Sequence, residues 1–327
     1  MYKIYDMWSK IARESYESNH DSVDFKEIDH IVFAGMGGSG AIGDIFSSIL
    51  SKTKIHVCVV KGYLLPRTVD SNTLVVTTSV SGNTIETLTV LDAAKKLGSK
   101  IIAFSCGGKM QEYCTKNKIE YRNIPQLHSP RASFPNYLYS MLSVLNSVID
   151  IKKEDVVDSI NQLEHLQKRI SSFNLNKNNP SLDLAEWISG IPMIYYPMGL
   201  QAAAIRFKSS LQENAKCHAM AEDAIEACHN GIVSWERSSN VQPILLEGKD
   251  DYIKTKERWK ILREYFETNK IDYKEVFSIK GSILSKLVSL IYLFDYATIY
   301  LAILTKIDPS PVRSIDFVKN KLTPNEN

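Results

Sequence analysis

The run Ser79-Val80-Ser81-Gly82-Asn83-Thr84 places three hydroxyls and a glycine between an apolar stretch, 74–78, and a periodic one, 87–97. The first reads as a buried strand and the second as a helix. The hydroxyls therefore stand at a strand-to-helix turn. The first N–H groups of a helix have no partner there, and the helix dipole makes that end positive. The implied chemistry is capture of an anion, a phosphate above all, by neutral donors and without a lysine. Asn83 as N-cap and Glu86 three residues on have capping-box spacing, which would fix the turn and converge Ser79, Ser81 and Thr84.

A second loop, Gly35-Met36-Gly37-Gly38-Ser39-Gly40, follows an apolar run at 30–34 and opens another helix. It satisfies G-x-G-x-x-G, but dinucleotide binding asks for an acidic residue about 20 positions on, at the end of the next strand. That strand, 55–60, ends in Lys61-Gly62. A nicotinamide oxidoreductase is therefore disfavoured. Two glycine- and hydroxyl-rich turns at the same end of neighbouring strands instead make a two-sided cradle, where open α/β sheets bind ligands.

The elements that must hold these loops alternate along the chain. A leading helix is expected over 1–27. Strands follow at 30–34, 55–60, 74–78, 101–105 and 120–124, with helices at 39–50, 87–97 and 134–149. Residues 149–179 are polar and read as a helix and linker. The pattern then resumes, with strands at 192–196 and 241–246. Helices follow Met198-Gly199 through Ser210 and at 251–269, 282–305 and 311–322. This spacing indicates an α/β protein with mostly parallel sheets flanked by helices. The second half is a weaker copy of the first, with strand–glycine–helix units at Gly35 and Gly199. Two domains are expected, 1–152 and 153–327.

The 327 residues carry 39 basic and 37 acidic side chains, a formal net charge of +2, with no long basic run. No nucleic-acid partner is implied. The apolar runs fall short of a membrane span, and residues 1–21 lack an apolar signal core, so a cytoplasmic protein is expected. The five cysteines, at 58, 106, 114, 217 and 228, are odd in number and form no Cys-x-x-Cys pair. Cys217, His218, Cys228 and His229 match no common zinc spacing, and no metal is expected.

The two loops together resemble the sugar isomerase (SIS) domain. Gln212-Glu213-Asn214-Ala215-Lys216 and Glu226-Ala227-Cys228-His229-Asn230 narrow the resemblance to the bifunctional phosphoglucose/phosphomannose isomerases. Asp308-Pro309-Ser310-Pro311-Val312 and Phe317-Val318-Lys319 extend it to nearly the whole chain, although Thr often stands where Ser310 is. The resemblance implies two SIS-type subdomains, each an αβα sandwich. It implies reversible isomerisation of glucose 6-phosphate and mannose 6-phosphate with fructose 6-phosphate through a cis-enediol, without a cofactor. Gly37, Gly38, Ser39, Ser79, Ser81 and Thr84 would hold the phosphate, and Arg131 would lie over the sugar or the enediolate. Glu213 would move the proton between C1 and C2. His229, from the other subunit of a homodimer, would open the ring with help from Lys319, with Lys321 two residues on as the other candidate.

These residue types suit the reaction. A carboxylate can take and return a proton on one face, and partial burial brings its pKa toward neutrality. Imidazole gives and takes protons near neutral pH, and a guanidinium stabilises a developing oxyanion. Glu213 follows an amphipathic run, 202–211, consistent with half-burial. Most glutamates are nonetheless surface residues, and its role, like that of His229, rests on the resemblance. Glu222 and His218 are read as supporting residues. The alternatives are a non-catalytic sugar-phosphate-binding regulator, which would keep the cradle without the Glu213 and His229 pair, and half of an amidotransferase-type synthase, which needs a glutaminase domain this chain lacks.

Overall fold

A computed structural model describes residues 1–18 and 20–322. The first half runs α1 (Tyr2–Tyr5), α2 (Trp8–Glu17), β1 (His30–Ala34), α3 (Gly37–Leu50), β2 (His56–Val60), β3 (Leu74–Thr78), α4 (Ile85–Lys96), β4 (Lys100–Ser105), α5 (Gly108–Asn117), β5 (Glu120–Asn123) and α6 (Phe134–Val144). The second runs α7 (Lys153–Ile170), α8 (Pro180–Trp187), β6 (Ile191–Tyr196), α9 (Gln201–Asn214), β7 (Met220–Asp223), α10 (Ala224–Ala227), β8 (Val241–Glu247), α11 (Ile253–Thr268), β9 (Lys274–Phe277), α12 (Ile283–Leu304) and α13 (Arg313–Leu322).

Two sheets form, both parallel. The first has the order β2-β1-β3-β4-β5 and the second β7-β6-β8-β9. Strands β1 (HIVFA) and β3 (LVVTT) are buried along their whole length. That is what β-branched and aromatic runs do when helices cover both faces of a sheet. In each half the first strand lies inside the second, so chain direction across the sheet reverses beside it. This shared reversal gives the likeness between the halves its structural form.

The leading helix is shorter than expected. It is broken around Asp6-Met7 and ends at Glu17, and residues 20–29 hold no helix. Ser, Asn and Asp are dense after Glu17, and their side chains compete with the helical backbone. What forms is used in the core. Trp8 stacks on Tyr292 at 5.0 Å and on Phe134 at 5.7 Å. Asp6 accepts hydrogen bonds from Tyr296 and from Ser172.

The stretch 149–179 is not a solvated linker. Within it α7 buries Val156, Ile160, Leu163 and Ile170, one amphipathic face packed against α12 and α2. Helix α12 is long and apolar enough to cross a membrane, contrary to the reading from run lengths. It is mostly buried inside the protein, as a core helix is.

Candidate active site

The order β2-β1-β3 puts the reversal point of the first sheet between β1 and β3. Ligands of open α/β sheets bind outside the carboxyl ends of the strands at that point. The glycine loop leaves β1 there and the serine-rich turn leaves β3. The two approach closely: a Cβ on Gly35 would lie 2.9 Å from the Thr78 carbonyl oxygen. Helix α3 begins at Gly37, two residues earlier than expected, so Gly37, Gly38 and Ser39 form its first turn. No side chain caps it.

In the second turn the hydroxyls of Ser79 and Thr84 are bonded at 2.8 Å, and Ser81 Oγ accepts from the Asn83 N–H at 3.3 Å. The capping box is absent. Thr84, not Asn83, is the N-cap of α4, and its side chain makes no cap bond. Asn83 instead accepts from the Lys109 N–H at 3.0 Å and donates to the Ser81 carbonyl at 3.1 Å. Glu86 accepts from the Tyr63 hydroxyl at 3.3 Å. Asn83 is drawn away by loop 106–110, which crosses beside the turn: Cys106 N–H donates to Val80 and Met110 N–H to Gly82. The first N–H groups of both helices are thus left without side-chain acceptors, the condition for taking up an anion.

Beside the glycine loop lies Arg131. A Cβ on Gly38 would be 3.7 Å from the Pro130 carbonyl oxygen and 4.0 Å from Arg206 Nη1. Arg131 is buried, and its Nη1 donates to Glu213 Oε2 at 2.7 Å. Such a charge-assisted bond, partly withdrawn from water, is strong and directional. Arg131 Nη2 also holds the Pro309 and Ser310 carbonyls at 3.0 and 3.1 Å, while its Nε is buried without a partner. Glu213 stands in the last turn of α9 with its side chain 24% exposed, the half-burial expected of it. Lys216 follows, donating to the Glu213 carbonyl at 2.6 Å and to that of Pro311 at 2.8 Å. Burial first, and the Arg131 charge next, lower the pKa of Lys216.

A second ion pair lies beneath the first. Arg206 Nη2 donates to Asp295 Oδ2 at 2.6 Å and to the Arg131 carbonyl at 3.2 Å. Its guanidinium lies 4.0 Å from the Phe134 ring centroid. Ser210 donates to the other Asp295 oxygen at 2.7 Å. Sequence reasoning missed Arg206 and Asp295. The available signal was Asp295 itself, an acid in the middle of an apolar helix, since carboxylates there are paired.

The other expected residues are placed apart. His229 is exposed in the turn after α10, its N–H on the Glu226 carbonyl at 2.8 Å, and no contact among the described residues joins it to Glu213 or Arg131. Lys319 and Lys321 lie in the last turn of α13, a helix with no buried residue. The strap leading to α13 is tied to the site through residues 309–311.

Residues 24–142 match the SIS domain, and residues 177–322 match the C-terminal SIS domain of bacterial phospho-glucose isomerase. A bifunctional phosphoglucose/phosphomannose isomerase of Caldicellulosiruptor bescii is 33% identical over 98% of this chain and 97% of its own. Another of the same description, from Aquifex aeolicus, is 31% identical over 89% of this chain and 90% of its own. Among solved structures, a hypothetical protein of Thermus thermophilus aligns with a TM-score of 0.75 at 13% identity, over 97% of this chain and 89% of that one. That last likeness is one of fold.

Proposed function

We propose, from the premise that this chain belongs to the bifunctional phosphoglucose/phosphomannose isomerases, a mechanism built on its own residues. The chain interconverts glucose 6-phosphate and mannose 6-phosphate with fructose 6-phosphate. The observation that carries the mechanism is the Arg131–Glu213 pair, at 2.7 Å, alongside the glycine loop. The phosphate dianion sits across the starts of α3 and α4, held by the N–H groups of Gly37 and Gly38 and by the hydroxyls of Ser39, Ser79, Ser81 and Thr84. This anchors the open-chain sugar with C1 and C2 over Glu213. The carboxylate takes the proton from one carbon, the cis-enediol forms, and the same carboxyl returns the proton to the other. Arg131, already hydrogen-bonded to Glu213, offers its cation to the enediolate oxygens as charge develops there. No metal or cofactor takes part in this scheme.

Ring opening falls to His229 and Lys319. In one chain His229 lies in an exposed turn, and α13 exposes Ile315, Phe317, Val318 and Leu322. Both features favour a homodimer in which a second copy covers the apolar face of α13 and brings its His229 to this site. Division into two SIS-type units near residue 152, supported by the two sheets, and a cytoplasmic location belong to the same reading.

The test is Glu213→Gln, which keeps the shape and loses the base. In a coupled assay with fructose 6-phosphate, turnover should fall about 10²–10⁴-fold, the range for loss of a positioned general base, while KM changes little. Turnover near the parent rate would remove Glu213 from the role.

A further inference from the structure

At the opposite end of the first sheet from the cradle, β1 and β2 begin side by side with His30 and His56 in register. Cys58, two residues on, shares a sheet face with His56. One ring nitrogen from each histidine and the Cys58 sulfur all lie within 4.8 Å of one another, and Cys58 Sγ is 3.4 Å from His56 Nε2. We propose that His30, His56 and Cys58 form a binding site for a single zinc-class divalent ion, clamping the edge strand β2 onto β1.

The hydrogen bonds around His30 prepare it for this. Thr73 Oγ1 donates its only proton to Asp70 Oδ1 at 3.0 Å, so at its 3.2 Å contact with His30 Nδ1 it is the acceptor. The proton of His30 is therefore on Nδ1, and Nε2 carries a bare lone pair. His30 is 8% exposed, and Nε2 is buried with no hydrogen-bond partner. An orphaned buried acceptor is costly unless something fills it. A metal-bound histidine ordinarily has its second nitrogen donating to a polar group, as Nδ1 does here through Thr73 to Asp70.

Two imidazoles and a thiolate are the donor set of zinc rather than of magnesium or calcium. Tetrahedral zinc, with its usual bond lengths, separates sulfur and nitrogen ligands by about 3.5 Å, near the present Cys58–His56 spacing. The remaining approach, of up to about 1.4 Å, is within reach of the exposed His56 side chain turning on its strand. Binding displaces the Cys58 thiol proton to solvent, and the fourth position is left to water. The Cys217–His229 stretch offers no such set, since Cys217 and Cys228 pack against different cores.

The full-length protein, stripped of metal with a chelator, is titrated with cobalt(II). One equivalent should produce a thiolate-to-cobalt charge-transfer band, displaced by zinc(II). Cys58→Ala should abolish the band, and His56→Ala, which removes a ligand, should weaken zinc binding by more than the about 10- to 100-fold that losing a ligand's hydrogen-bond partner costs. Both residues lie on the edge strand, His56 exposed and Cys58 only partly buried at the margin of a core, so these variants should fold and keep isomerase turnover. Zinc should raise the Tm of the parent protein and not that of Cys58→Ala. The site is refuted if no band appears at one equivalent, or if the band survives Cys58→Ala. Because it lies at the far end of the sheet from Glu213, turnover should be indifferent to EDTA, and the two readings fail independently.

Discussion

Asp295 is fully buried in α12 and held by Arg206 and Ser210. Arg206 in turn holds the carbonyl of Arg131, whose guanidinium faces Glu213. The pair therefore stands one residue away from the proposed base, as a support that fixes where Arg131 can stand. Asp295→Asn would leave a buried guanidinium uncompensated, at a cost of about 3–5 kcal/mol. The urea midpoint should fall accordingly. Near the bottom of the temperature range, where the variant is folded, kcat should drop more than KM rises. A stability loss below about 1 kcal/mol would mean that water or another group neutralises Arg206. At this scale the sequence was legible where short motifs bring several donors together, as at Ser79 to Thr84. It was silent about Arg131 meeting Glu213, because a separation of 82 positions leaves no local pattern.

The turn after β3 works as an element only because loop 106–110 braces it. Gly82 has φ +69°, and a Cβ there would lie 1.8 Å from the Gly107 carbonyl oxygen. Gly82→Ala must therefore part the two loops. The cost should exceed about 2 kcal/mol in thermal or urea unfolding, and KM for the sugar phosphate should rise because the start of α4 moves with the turn. An unchanged KM would place the phosphate elsewhere. Strong apolar strands such as β1 and β3 could be located from sequence, because burial on both faces demands continuous apolar runs. Strands β7 and β9, and helices α5 and α8, could not. They are short or mixed in polarity, and their pairing partners rather than their own residues make them what they are. The missing capping box has the same origin: a tertiary contact to Lys109 outbid the local one at Asn83.

Across the whole molecule, one core joins the halves: α2, α6, α7, α9 and α12 pack together between the sheets. At the carboxyl end of the second sheet's strands Glu247 closes β8, buried and facing Arg263, which it shares with Glu275. Burial above all raises the Glu247 pKa to about 7, against a lowering by Arg263 and a further rise from Glu275. The folded state thus keeps a proton that the unfolded chain loses near pH 4.5. Stability from this group is complete below that pH and declines as pH rises to about 7, by up to about 3 kcal/mol. Glu247→Gln should flatten this slope in urea unfolding at pH 5 and pH 8, and an equal slope in both proteins would assign it elsewhere. Local order alone determined much here: the parallel α/β architecture and the two glycine- and hydroxyl-rich turns at the strand ends. Periodicity and turn chemistry are written into neighbouring residues. The tertiary structure alone decided which side chains meet. Packing of α9 and α12 against the loops of the first half joined Arg131 to Glu213 and buried Arg206 with Asp295. Those contacts join positions 82 and 89 apart in the chain, and only closure of the common core brings them within bonding distance.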